Sequence, residues 1–349
     1  MADRVRAVAR WPSRPWPWRT TNLALLGVLA LAFTTGVAAQ ATGSSRGAWI
    51  AVAHGLVGLV VVSLVPRKSR VVAVGLRRRR PSRWASVGLA ALTLGTLAAG
   101  IGSSTGLLKT VAGVEPLWVH IALALLLLPL LAWHVVARPV RPRAADLSRR
   151  TLMRAGLLAV AGSALYAGLE GAVRLAGLPG AQRRFTGSHP VDAAAAPVTS
   201  WLDDAVPDVR RRDWRLTVVD ADGTRNLAFD ELVASGTTTV QATLDCTSGW
   251  YATQTWTGVP VARLLTGVDP AHRSVRVRSM TGYDRYLPLS DLHHLLFAVE
   301  TGGAPLTPVH GYPVRLVAPG RRGFWWVKWV AAVELSRRPW WAQPPFPPT

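Results

Sequence analysis

Five apolar stretches follow one another in the first half of the chain, at residues 23–40, 48–66, 84–101, 117–137 and 155–169. The first four approach the ~20 residues a helix needs to cross a bilayer. The fifth is shorter and richer in glycine and alanine. Lipid offers no water to the backbone, so a chain of this pattern satisfies its polar groups as helices. Trp49, Trp84, Trp118 and Trp133 stand near stretch ends, where an aromatic belt puts them. The expectation for residues 1–178 is an all-α transmembrane bundle of about five helices, in contact with lipid.

Charge divides the 349 residues in the same place. Residues 1–184 hold 24 Lys+Arg against 4 Asp+Glu, and residues 185–349 hold 16 against 15. The excess positive charge therefore belongs to the apolar half, between its stretches. That placement speaks against nucleic acid as the partner, although a net charge of +21 would otherwise suggest it. Five Arg lie in residues 1–21. Arg67, Lys68, Arg70, Arg77, Arg78, Arg79, Arg80 and Arg83 follow the second stretch, and Arg138, Arg141, Arg143, Arg149 and Arg150 follow the fourth. The intervening loops carry only Arg46 and Lys109. The positive-inside rule then sets the N-terminus in the cytoplasm of a plasma-membrane protein and, after five crossings, the second half outside. Four crossings would leave that half inside. Ser148-Arg149-Arg150-Thr151-Leu152-Met153-Arg154 resembles a twin-arginine export signal, which suits a domain exported already folded. The same arginines also serve as ordinary cytoplasmic anchors.

Histidines stand in the apolar stretches. Ionisable groups there generally have partners and a function. His54 lies ~9 Å and His120 ~5 Å from the outer face at 1.5 Å per residue, so the two can ligate one haem b from facing helices. His134 falls on nearly the same helix face as His120, near the cytoplasmic end, and is the alternative ligand. The bland alternative is hydrogen bonding to neighbouring helices.

Beyond a linker at residues 179–207 the pattern becomes that of a compact α+β domain. Trp214–Asp220, Thr237–Asp245, Ser274–Ser279, Val314–Ala318 and Trp326–Leu335 read as strands, and Pro260–Leu265 and Leu289–Leu295 as short helices. Residues 339–349 form a proline-rich, extended tail. Cys246 is the one cysteine, so no disulfide forms within the chain. It sits in Leu244-Asp245-Cys246-Thr247-Ser248-Gly249-Trp250, where a strand end can present a thiolate to a soft metal. A second segment runs His310-Gly311-Tyr312-Pro313-Val314-Arg315, then Pro319-Gly320-Arg321-Arg322-Gly323, then Val327-Lys328-Trp329-Val330. His310, Arg315 and Lys328 can converge on an anion, with the arginine fork gripping a phosphate.

Together these two segments resemble the molybdopterin domain of the sulfite oxidase family, over residues 185–338. The resemblance implies a mixed α+β fold around a buried molybdenum-molybdopterin cofactor, and an enzyme cycling Mo(IV) and Mo(VI). It implies Cys246 as the thiolate ligand of molybdenum and Tyr283 as the active-site tyrosine. His310, Arg315, Trp326, Val327 and Lys328 would hold the pterin and its phosphate. Thr281 matches a pterin-contacting position, and Ser188, in Phe185-Thr186-Gly187-Ser188, an N-terminal one.

Departures narrow the substrate. Sulfite-oxidising members carry arginines shortly after the cysteine, where this chain has Gly249, Trp250 and Tyr251. No match to the family's dimerisation domain follows. Both features resemble the family's periplasmic methionine-sulfoxide reductase branch, which takes electrons from a membrane haem partner but has Asn at the position of His310. The expectation is transfer of an oxygen atom to or from a small sulfur or nitrogen compound, S-oxide or N-oxide reductase-like, with electrons exchanged with quinone or another membrane carrier. Sulfite oxidation is the alternative. A membrane module with a non-catalytic family domain is the other.

Overall fold

The computed structural model describes residues 18–77, 83–198 and 205–344. The arginines at 4, 6, 10 and 14, Arg78, Arg79 and Arg80, and the last part of the proline-rich tail lie outside them. The chain divides into two compact units, one helical (Met1–Ala39 and Trp49–Ala181) and one sheet-rich (Gln40–Ala48 and Gln182–Thr349).

The helical unit contains α1 (Trp18–Ala41), α2 (Ala48–Arg77), α3 (Arg83–Thr105), α4 (Pro116–Ala137) and α5 (Arg149–Leu175). All five are long and apolar enough to cross a membrane. Pro66 and Pro129 lie inside α2 and α4, as membrane helices tolerate. Small residues let the helices approach closely. A Cβ at Gly88 or Gly95 of α3 would touch Leu130 or Leu123 of α4 at 3.6 and 3.2 Å, and one at Gly162 of α5 would strike Val60 of α2. The fifth helix is longer than the apolar stretch at 155–169. Ser148 caps it by accepting a hydrogen bond from Thr151 N, so Arg149 and Arg150 are its first two residues, and it continues to Leu175, before Gly177 at φ +61°.

The second unit is built on two sheets. In the first, β4 (Thr238–Asp245) and β5 (Trp250–Pro260) form a hairpin. β5 also pairs with β1 (His189–Pro190) and β8 (Leu296–Thr301), and β8 with β9 (Ala304–Pro305) and β10 (Arg315–Val317). The second sheet runs β3-β2-β11-β6-β7, from β3 (Gly223–Ala228), β2 (Arg215–Asp220), β11 (Val330–Ser336), β6 (Ser274–Ser279) and β7 (Asp284–Pro288). A short helix, α6 (Phe229–Ala234), follows β3. Alternating residues of these strands, including Leu216, Val218, Val275, Val277, Phe297 and Leu316, meet in one core. The helical half followed by a mixed, sheet-rich half is as the sequence leads one to expect.

Two local expectations change. Both short helices are 3₁₀ turns, Val261–Arg263 and Leu289–His294. The last strand starts at Val330 rather than at Trp326. Gly323–Trp325 is a 3₁₀ turn, and Trp329 adopts φ +50°, which no extended strand contains. Trp329 is held there by its indole N–H, which donates to Pro308 O at 2.7 Å, and by its carbonyl, which accepts from Met280 N at 2.8 Å.

Candidate active site

Cys246 stands at the tip of the β4–β5 hairpin. Cys246 N donates to Trp250 O at 2.9 Å and Gly249 N to Cys246 O at 3.2 Å, closing a four-residue turn in which Gly249 takes φ +104°. Only glycine adopts that backbone without strain. Within the turn Ser248 Oγ donates to Cys246 Sγ at 3.1 Å. Such a bond fixes the direction of a sulfur ligand and draws charge from it.

The cysteine lines a cleft of about 990 Å³, mouth included. Trp250, Trp256, Trp326, Trp329 and Phe324 give it aromatic walls, and Tyr283, His310, Arg315 and Lys328 also line it. Arg315 and Lys328 are the lining cations among the described residues. Each has a tertiary reason for its place. Gly311, at φ +108°, lets the chain turn so tightly that a Cβ there would lie 3.2 Å from those of Arg315 and Lys328. Arg315 Nη1 donates to His310 O at 3.2 Å and Lys328 Nζ to Val309 O at 2.9 Å. The Arg315 guanidinium lies 5.6 Å from the Trp256 ring and 5.8 Å from the Trp326 ring. It is 4% exposed, yet its Nε has no hydrogen-bond partner.

Electrostatics sharpen this arrangement. Burial pulls Arg315 down to about 10, with the Cys246 charge opposing the shift; it is still protonated at neutral pH. Burial, and then the charges of Arg315 and Lys328, push His310 below the usual histidine range. A neutral imidazole results, whose Nδ1 lies 2.7 Å from Thr307 Oγ1.

Three of the positions expected to touch a pterin do not line the cleft. Thr281 sits in the β6–β7 turn, where its N and Oγ1 both donate to Ser279 Oγ, and Ser279 is the residue that reaches the cleft. Val327 is fully buried in the core and uses its carbonyl to accept from Leu316 N. Ser188 is buried and donates to Asp245 Oδ1 at 2.7 Å. Short-range spacing could place these residues near the motif but not choose which side chain a turn points inward. Tyr283 does line the cleft, and its hydroxyl donates to Phe324 O. Gln254, which lines the cleft, lies outside the sequence motifs, and its signal is alternation along β5 between Trp250 and Trp256. Ser248, Trp256, Asp245 and Arg322 lie within the motifs, where short-range spacing gives them no role.

The donor set fits a group that brings its own metal. Among the described residues no cluster of three His, Cys, Asp or Glu is placed to hold one. Cys246 alone could ligate only a metal whose other ligands a cofactor brings. The buried cation with an unsatisfied Nε suits an anionic tail, and the tryptophan walls suit flat rings.

In the helical unit, His54 and His120 do face each other. Their ring centroids are 5.9 Å apart with planes at 80°. His54 Nδ1 lies 3.0 Å from Ala32 O and His120 Nδ1 2.8 Å from Thr96 O. A Cβ at Gly36 or Gly100 would fall 3.0 Å from the His54 ring or 2.9 Å from the His120 ring, so both glycines are needed for the rings to pack. Among the described residues His134 Nδ1 has no partner.

Residues 203–343 match the family model of the oxidoreductase molybdopterin binding domain. The catalytic subunit of the protein-methionine-sulfoxide reductase of Xanthomonas campestris is 30% identical over 114 residues, 27% of this chain and 35% of that protein. A nitrate reductase (NADPH) of Fusarium oxysporum is 31% identical over 101 residues, 25% of this chain and 11% of that one. An uncharacterized oxidoreductase of Bacillus subtilis, YuiH, is 28% identical over 130 residues, 36% of this chain and 66% of that one. The chain thus spans about a third of the methionine-sulfoxide reductase and about a tenth of the nitrate reductase that it matches.

Proposed function

Given that this chain belongs to the molybdopterin-dependent oxidoreductases of the sulfite-oxidase and methionine-sulfoxide-reductase family, we propose that it moves an oxygen atom to or from a small sulfur or nitrogen compound. The observation that carries the reading is the cleft with Cys246 on one wall and Arg315, Lys328 and His310 on another. Cys246 is the ligand of molybdenum. Arg315, Lys328 and His310 hold the phosphate and pterin, with Trp326 beside them. When bound, molybdenum-molybdopterin supplies a two-electron couple linked to transfer of an oxygen atom.

The chain's own residues decide the rest. Arg315 and Lys328 would hold the phosphate tail, and Gly249, Trp250 and Tyr251, where sulfite-oxidising members carry arginines, are without charge. A neutral, polar substrate such as an S-oxide or N-oxide suits that surface better than sulfite does. Tyr283 lines the cleft and is the hydroxyl that would orient the substrate oxygen. The tryptophan walls exclude water from it.

The helical part anchors the enzyme in the cytoplasmic membrane, with residues 185–338 on the extracytoplasmic side. The arginine pattern and the twin arginines at Arg149 and Arg150 support that orientation. One haem b held by His54 and His120 would supply one-electron transfer with quinone or another membrane carrier. His54 and His120, with ring centroids 5.9 Å apart, are the residues that would hold it. A ring N–H on a backbone carbonyl is the usual partner of a metal-bound histidine. His54→Ala and His120→Ala each abolish a b-type Soret band, and His134→Ala leaves it intact. A full-length protein without that band, made with haem available, would remove the electron route.

The assignment of the site is tested by molybdenum per chain in the detergent-purified full-length protein. About one per chain is expected for a single cofactor cleft. None, from a host that makes the cofactor and exports folded proteins, overturns it.

A further inference from the structure

Ser188, Asp245 and Arg322 do not line the cleft, yet they are 0%, 2% and 0% exposed and press on the backbone of Cys246. Arg322 Nη1 donates to Asp245 Oδ1 at 2.6 Å and to Ser188 Oγ at 3.2 Å, and Nη2 donates to the Cys246 carbonyl at 3.1 Å. Asp245 Oδ2 accepts from Arg184 Nε and Thr186 Oγ1, both at 2.9 Å. A Cβ on Gly323, the next residue after Arg322, would sit 3.2 Å from Cys246 Cα. The two segments are therefore locked together at the cysteine.

Stability alone is a weak reason for such a pair. Burying two ions costs several kcal/mol each, and an apolar pair of similar volume is often as stable. The pair is instead tied to one functional group. Asp245 is the neighbour of Cys246 in the chain, and the second arm of Arg322 ends on the carbonyl of Cys246 itself. At this depth a full charge acts on the sulfur with little screening.

We infer that Asp245 and Arg322 are positioning residues that set the electron affinity of the redox group ligated by Cys246. This rests on Cys246 being the molybdenum ligand. The positive charge of Arg322 favours the electron-rich, reduced state of the bound centre. The negative charge of Asp245 opposes it, and their near-cancellation leaves the potential poised. Their fork geometry also keeps the Cys246 carbonyl, and hence the sulfur, in one orientation.

The test is a redox titration of the paramagnetic one-electron state of the bound centre, in the full-length detergent-purified protein. Molybdenum per chain is measured on each sample. Arg322→Gln lowers the midpoint and Asp245→Asn raises it. Each shifts the one-electron equilibrium by about tenfold, or about 59 mV. The double variant Asp245→Asn/Arg322→Gln returns near the wild-type midpoint, and Arg322→Lys keeps it. A structural role alone would lower loading without opposite shifts. Midpoints that stay put or move in one direction, in protein that carries molybdenum, overturn this inference and leave the cysteine assignment standing. If one single variant purifies without molybdenum, the other decides: a midpoint shift of the stated sign supports the inference, and an unchanged midpoint overturns it. A wild-type chain without molybdenum defeats the cysteine assignment, and this inference with it.

Discussion

Cys246→Ser loses turnover by at least about 1,000-fold, which is about 4 kcal/mol of transition-state stabilisation. The exchange is nearly isosteric, so the hairpin turn, its two backbone hydrogen bonds and the glycine at 249 are retained. What changes is the ligand atom. A thiolate is soft and polarizable and suits a molybdenum centre, whereas a serine hydroxyl is hard and poorly ionised. Ser248 also loses its sulfur acceptor. Cofactor content falls much less than turnover, because the proposed pterin and phosphate contacts are made by other residues of the cleft. Reduction of a panel of small sulfoxides and N-oxides with a dye donor, beside molybdenum per chain, measures both. Unchanged turnover would return the protein to the class of membrane modules with a silent domain.

Arg315→Met has the converse signature, in that the cofactor itself is lost. Removing one partner from a buried charge-assisted contact costs about 2–5 kcal/mol, so cofactor content falls by about 30-fold or more. Methionine fills the space between Trp256 and Trp326, so the core survives, and His310 O loses a donor. The lowered value of about 10 leaves Arg315 charged at neutral pH, so the cation that the proposed phosphate contact needs is present there. Arg315→Lys recovers part of the loss, since it keeps the charge without the planar fork. Pterin fluorescence after oxidative release and molybdenum analysis read the result. Full loading of Arg315→Met in a folded protein would mean that the phosphate is held by other groups.

The two motif segments were legible because each is local. The cysteine turn needs a strand end, a glycine at a positive φ and a residue that accepts the turn, all within Leu244–Trp250. The second segment needs Gly311 to bring the chain close to Arg315 and Lys328. Short-range spacing carries less wherever a side chain's direction depends on a partner distant in sequence. Thr281 and Val327 lie in the right turn and the right segment, but one points to Ser279 and the other into the core. The strand read from Trp326 starts at Val330 because Trp329 is bent by Pro308 and Met280, which no periodicity reports.

From the sequence alone came the apolar helices, the charge asymmetry along the chain, the α+β character of its second half and the two segments that carry Cys246 and Arg315. Those follow from composition and short spacing, because bilayer thickness, backbone satisfaction and ligand softness act on a few consecutive residues. Only the tertiary structure decided that His54 and His120 pack ring to ring, that Ser188 serves Asp245 instead of the cleft, and that Arg322 stands behind the cysteine. These are pairings across 66, 57 and 76 positions of the chain, and such pairs are set by how helices and sheets pack, a matter on which neighbouring residues carry no information.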